Sequence, residues 1–175
     1  MKHTLALILF ILFSTVAHSK EFTPNYEEKI PTESKELNFS FKDGLVQIHY
    51  EPASNRNDVR CELDPTTKPK TPFTFAGDYK KFQCEITLSK KINVKITGKH
   101  GQIQASNLST DTQLILDDGQ IQFTSNPSLK YNYDATVENG MKPMLPMQSM
   151  TSTSASNSKP IAVKIRLKNG MVSIQ

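Results

Sequence analysis

Lys99-His100-Gly101-Gln102-Ile103-Gln104 and Asp117-Asp118-Gly119-Gln120-Ile121-Gln122 are two copies of one pattern: a polar corner, a glycine, then aliphatic residues alternating with polar ones. Looser copies are Lys42-Asp43-Gly44-Leu45-Val46, Glu138-Asn139-Gly140-Met141 and Lys168-Asn169-Gly170-Met171-Val172. A corner glycine followed by period-two alternation reads as a strand that starts after a turn. Gly101, Gly119 and Gly140 recur at intervals of about 19 residues, and Gly44 precedes Gly101 by about three such intervals. Near-constant spacing with two strands per interval predicts an all-β, single-stranded β-solenoid, a β-helix-like stack of coils of about 19 residues each. The rival all-β arrangement is an antiparallel sandwich of hairpins, since Asp-Gly and Asn-Gly also favour two-residue hairpin turns. The constant interval favours the coils. Helix-period amphipathicity appears nowhere after the N-terminal leader.

Alternation around these glycines nominates the inward residues: Ile92, Val94, Ile103, Leu114, Leu116, Ile121, Val137, Val163, Ile165, Val172 and Ile174. Asn107-Leu108-Ser109 falls at a corner between two repeats. Upstream, Leu37, Phe39 and Phe41 alternate with polar residues and mark the start of regular structure, so residues 37–175 are expected to form one domain. Residues 20–36 are charged, hold Pro24 and Pro31 and lack any period, which predicts a flexible charged leader. Residues 1–19 have a positive start at Lys2 and His3, an apolar run from Leu5 to Phe13, and Ala17-His18-Ser19 before Lys20. This is the form of a cleaved secretory signal peptide. Its apolar run is too short for a stable membrane anchor, so the mature chain is expected to carry none.

The whole chain has 21 lysines and arginines against 17 acidic residues. The small basic excess is dispersed, which excludes a nucleic-acid reading. The two cysteines, Cys61 and Cys84, both lie beyond the leader. In an oxidising compartment a lone pair is most simply a disulfide, with two buried thiols as the alternative. A zinc site is disfavoured because His49 and His100 show no ligand spacing to either cysteine.

The stretch Leu88-Ser89-Lys90-Lys91-Ile92-Asn93-Val94, then Gly101-Gln102-Ile103, Asn107-Leu108-Ser109 and Leu114 to Ile121, resembles the unit of the bacterial putative-adhesin β-solenoid family. Ala135-Thr136-Val137-Glu138-Asn139-Gly140 and the closing Val163 to Ile174 are similar to it again. The resemblance implies an exported β-solenoid domain with no catalytic residues, and a variable insert before the last coil is common in that family. The cysteine pair and the proline-rich loop near it are not hallmarks of the family.

That insert, residues 141–160, is rich in Met, Pro, Ser and Thr. Met141, Met144, Met147 and Met150 recur every third residue, and two prolines bias the segment to polyproline II, which has three residues per turn. Thioether sulfur favours copper(I), so these four methionines are the candidate metal ligands. The competing reading is an adaptable apolar loop that packs on the solenoid flank or on a partner. Asp117 and Asp118, with Asp111 nearby, invite comparison with the paired acids of a sugar-cleaving β-helix. Adjacent residues of a strand point to opposite faces, however, and both precede a turn glycine, so turn chemistry accounts for them. His49 lies on the face opposite Val46 and Ile48, and His100 sits in a turn beside Gly101; both read as surface histidines rather than catalytic bases, and no serine sits in Gly-x-Ser-x-Gly.

The expected function is therefore non-enzymatic, without cofactor. It is an exported adhesin-like or envelope-associated binding or structural protein, in the periplasm, at the cell surface or outside the cell. An envelope or surface protein, or a glycan, is the expected partner class. The alternatives are copper(I) binding through the insert and a carbohydrate-active β-helix enzyme.

Overall fold

The computed structural model describes residues 22–141 and 159–175. The expected signal peptide, and Met144, Met147 and Met150 of the insert, lie outside the described residues. Among the described residues the chain is all-β, with β1 (Tyr26–Lys29), β2 (Glu36–Tyr50), β3 (Asp58–Asp64), β4 (Thr74–Phe75), β5 (Lys81–Leu88), β6 (Asn93–Ser106), β7 (Thr112–Thr124), β8 (Tyr131–Met141) and β9 (Ile161–Ile174). They form one mixed, unclosed sheet in the order β1-β3-β5-β2-β6-β7-β9-β8, with β4 beside β2. No helix of the described residues is long and apolar enough to cross a membrane.

Five long strands, β2, β6, β7, β9 and β8, run parallel and in register. Equivalent residues of the repeat stand side by side. Gly44, Gly101, Gly119, Gly170 and Gly140 form one column, and Phe39, Ile96, Leu114, Ile165 and Ala135 another. The glycines lie inside continuous strands rather than between two short ones, which corrects the expected two strands per interval. Within β6 the buried residues are Val94, Ile96 and Gly98 before the glycine, and Ile103 and Ala105 after it. That change of phase would put the two arms on opposite faces of a flat strand. Both arms reach the same core because the chain bends at Gly101, whose φ is 128°.

Chain length demands the same bend. The link from β6 to β7 is residues 107–111, and it returns the chain to the start of a parallel neighbour. Such a link reaches at most about 20 Å, whereas 14 residues of straight strand run ~46 Å. The two arms must therefore fold toward each other. Across that interior, Phe123 of the second arm of β7 meets Tyr131 and Tyr133 of the first arm of β8, with ring centroids 5.7 and 6.0 Å apart. Asn107 takes the left-handed conformation that asparagine tolerates, at φ 56°, and Leu108 is buried, so Asn107-Leu108-Ser109 is a corner as expected.

The nominated inward residues are buried, except Val137, which is half-buried because β8 is an edge strand. Three further expectations need correction. The interval between Gly44 and Gly101 does not hold extra coils, since these glycines pair directly. It holds β3, β4 and β5, which build a cap: β5 runs parallel to the second arm of β2, while β3 and β1 add antiparallel. Phe39, Phe41, Phe75 and Phe82 seal this end, with Phe75 and Phe82 centroids 5.1 Å apart. Second, the segment 20–36, expected as a flexible leader, contains β1, because Tyr26 and Ile30 bury on the cap. Third, sequence order breaks at the C-terminal end: β9 inserts between β7 and β8.

Cys61 and Cys84 face each other across β3 and β5, with Cα atoms 4.1 Å apart, and are joined by a disulfide. Both are fully buried, which ties the two strands of the cap together beneath the sheet face.

Candidate binding face

The in-register pairing converts each repeated polar position into a row across the sheet. On the outward face of the second arms, Glu85, Gln47, Gln104, Gln122 and Ser173 stand in one row, and Thr87, His49, Ser106 and Thr124 in the next. Between strands these positions repeat at ~4.8 Å. The Gln47 Nε2 amide donates to Gln104 Oε1 at 2.8 Å. Gln47, His49, Glu85, Gln104, Ser106, Gln122 and Thr124, with the edges of Ile48 and Ala105, line a shallow groove of about 230 Å³. His49 Nε2 lies 3.4 Å from Thr87 Oγ1 and 3.9 Å from Glu51.

A second polar row runs along the corner, one position before the glycine column: Asp43, His100, Asp118, Asn169 and Asn139. Asn139 Nδ2 donates to Asn169 Oδ1 at 3.0 Å, Asn169 Nδ2 donates to Asp118 Oδ1, and Asp118 Oδ2 is 3.1 Å from His100 Nδ1. These contacts hold adjacent corners together. Asp118 is thus engaged along the ladder, while Asp117 is exposed one residue earlier. Asp111 stands about 20 Å back along the strand, where its Oδ1 accepts from Ala162 N–H at 2.9 Å. The three aspartates are not brought together as an acid and base pair.

Toward the β8 edge of the sheet, Arg166 of β9 holds the edge strand. Its guanidinium donates to Asp134 O at 2.9 Å and to the Asp134 carboxylate at 3.0 and 2.5 Å. Those hydrogen bonds hold the Asp134 carboxyl below the usual carboxylate range. Tyr131 sits inside, its hydroxyl donating to Leu108 O at 2.9 Å, and burial pushes its ionisation upward.

Met141 is the one insert methionine among the described residues; it ends β8 beside Met171 of β9, and both side chains are exposed. Among the described residues, no group of three or more His, Cys, Asp or Glu side chains could hold a metal ion. The glutamine row was not singled out from sequence as a site, although its signal was present: Gly-Gln-Ile-Gln occurs twice at the same offset from a corner glycine. Parallel pairing in register is what turns that repeat into adjacent amides.

No family model matches the chain, and no curated protein matches it. Among solved structures, a putative cell adhesion protein from Clostridium sporogenes ATCC 15579 is similar over 87% of this chain and 98% of its own, at 11% identity and a TM-score of 0.43. A likeness of that order says nothing about ligand or activity.

Proposed function

We propose that this chain is an exported, non-enzymatic β-solenoid binding protein, adhesin-like or envelope-associated, whose ligand lies along the glutamine row. Support for coil-like stacking comes from the short β6–β7 link, the bend at each corner glycine and the contact between opposed arms. The buried disulfide suits an oxidising compartment. The observation that carries the binding reading is the amide row Gln47, Gln104 and Gln122 on the groove. Each amide both donates and accepts, so a row of them matches the paired hydroxyls of a glycan without fixed charge. A rigid β platform presets the spacing and lowers the ordering cost of binding.

The experiment is a glycan array probed with the purified exported chain, followed by titration of the hits. Replacing Gln104 and Gln122 by Ala together should weaken binding about tenfold or more, from roughly 1 kcal/mol per lost hydrogen bond. An array without hits, or an unchanged affinity in the double variant, overturns the reading.

One observation favours a second reading, copper(I) binding. Met141 and Met171 are the large apolar residues most exposed among those described, at 70% and 39%, and the register sets them side by side. Soft thioethers in an exported protein suit copper(I). Titration of the Met141→Leu, Met171→Leu double variant with copper(I) should show weakened binding, and equal affinity in both proteins removes the metal.

A further inference from the structure

The two edges of the sheet differ in kind. At one edge β1 has four residues, Tyr-Glu-Glu-Lys, and its three charges guard it against further pairing. The other edge, β8, is 11 residues long, and Asp134 and Glu138 are its only charged side chains. Among the described residues β8 pairs with β9 alone. Ile161 N–H donates to Lys130 O at 2.9 Å. Backbone groups of a strand alternate in direction, so the even residues from Lys130 face β9, and Tyr133, Ala135 and Val137 aim their N–H and C=O groups at the open side. The side chains of Tyr133, Ala135 and Val137 continue the core columns Val163, Ile165 and Leu167, yet remain half-buried.

Twofold registers centred on residues 134–137, which use most of the strand, differ in what they set opposite each charge. Twofold antiparallel pairing about Asp134 would set that carboxylate against its own copy. Pairing about Thr136 would set Asp134 against Glu138 twice, and like charges directly opposed destabilise a sheet. Pairing about Val137 would draw the bent Gly140 corner into the seam. Pairing about Ala135 avoids all three. It uses the straight residues 132–138, sets Tyr133 against Val137 and Asp134 against Thr136, and makes Ala135 and its copy a hydrogen-bonded pair. Aromatic and β-branched residues are a favourable cross-strand match. We propose that β8 is the seam of a twofold homodimer in which residues 132–138 of two copies pair antiparallel about Ala135, extending the half-buried Tyr133 and Val137 row into a shared core.

Sedimentation equilibrium of the purified exported chain should show a monomer–dimer equilibrium. Proline is tolerated on an edge strand whose N–H faces outward. Ala135→Pro should therefore give a monomer with the thermal midpoint of the unmodified monomer. Thr136→Lys places a cation opposite Asp134 of the other copy, twice per dimer. It should tighten dimerisation about tenfold at low salt, a gain that high salt removes. A dimer that persists in Ala135→Pro overturns the proposal, as does Thr136→Lys without a salt-dependent gain; the lysine variant decides the matter if the proline variant fails to fold. A wild-type monomer at all concentrations also overturns it. Hydrogen exchange then assigns the edge: protected amides at Tyr133, Ala135 and Val137 give it to residues 142–158 of the same chain, and unprotected ones leave it to a foreign strand.

Discussion

Gly119→Ala is expected to lower unfolding stability by about 2–6 kcal/mol, adding backbone strain of ~1–3 kcal/mol to overpacking of ~1–3 kcal/mol. Gly119 has φ 134°, which an L side chain rarely adopts, and a Cβ there would lie 1.9 Å from the Gly101 carbonyl oxygen. Neither problem can be relieved by turning a side chain, because the obstacle is the backbone of the adjacent strand. A domain of ordinary stability, about 5–15 kcal/mol, could be largely consumed by the upper end of that range. Urea unfolding followed by circular dichroism measures the loss. Gly77→Ala is the control: its Cβ would meet only the Tyr79 ring, at 3.3 Å, and its effect should stay below about 1 kcal/mol. Equal stability of Gly119→Ala and the unmodified chain would remove the glycine column from the account.

Loss of the Cys61–Cys84 bond should cost about 3 kcal/mol in the chain-entropy model, in which a cross-link restricts the unfolded chain. The bond joins β3 to β5, and β1 hangs on β3, so the cap is expected to loosen before the parallel strands do. Thermal unfolding of the Cys61→Ala, Cys84→Ala double variant tests the magnitude. Hydrogen exchange tests the location: amides of β3 should lose protection more than those of β7. A change under about 1 kcal/mol, or uniform loss of protection, contradicts this role.

Both predictions draw on features legible in the sequence. The corner glycines announce themselves through a shared local pattern, and most inward residues follow from counting by twos on either side. The cysteine pairing follows from compartment and number. What sequence spacing does not encode is neighbourhood. An interval measures chain length between equivalent positions, and a cap of β3, β4 and β5 can use the length of extra coils without adding one. Likewise β9 sits against β7 with β8 outside it, and nothing in the strand patterns ranks β9 over β8 for that place. β1 was hidden for a different reason. Four residues with three charges carry no period, and of the anchors Tyr26 opens the strand while Ile30 follows its last residue. The glutamine row lay between these cases, visible as a repeat and meaningful as a surface only once the register was known.

Parallel registration of the corner glycines underlies the whole fold, and backbone nuclear Overhauser contacts in the isotope-labelled chain report on it. That registration predicts interstrand amide and α-proton contacts linking Gly101 to Gly119 and Gly119 to Gly170, with matching contacts from Ile121 to Ile103 on one side and to Val172 on the other. Contacts that instead join Gly98 to Ile103 and Thr97 to Gln104 across a tight reversal would make His100-Gly101 the tip of a hairpin and contradict it.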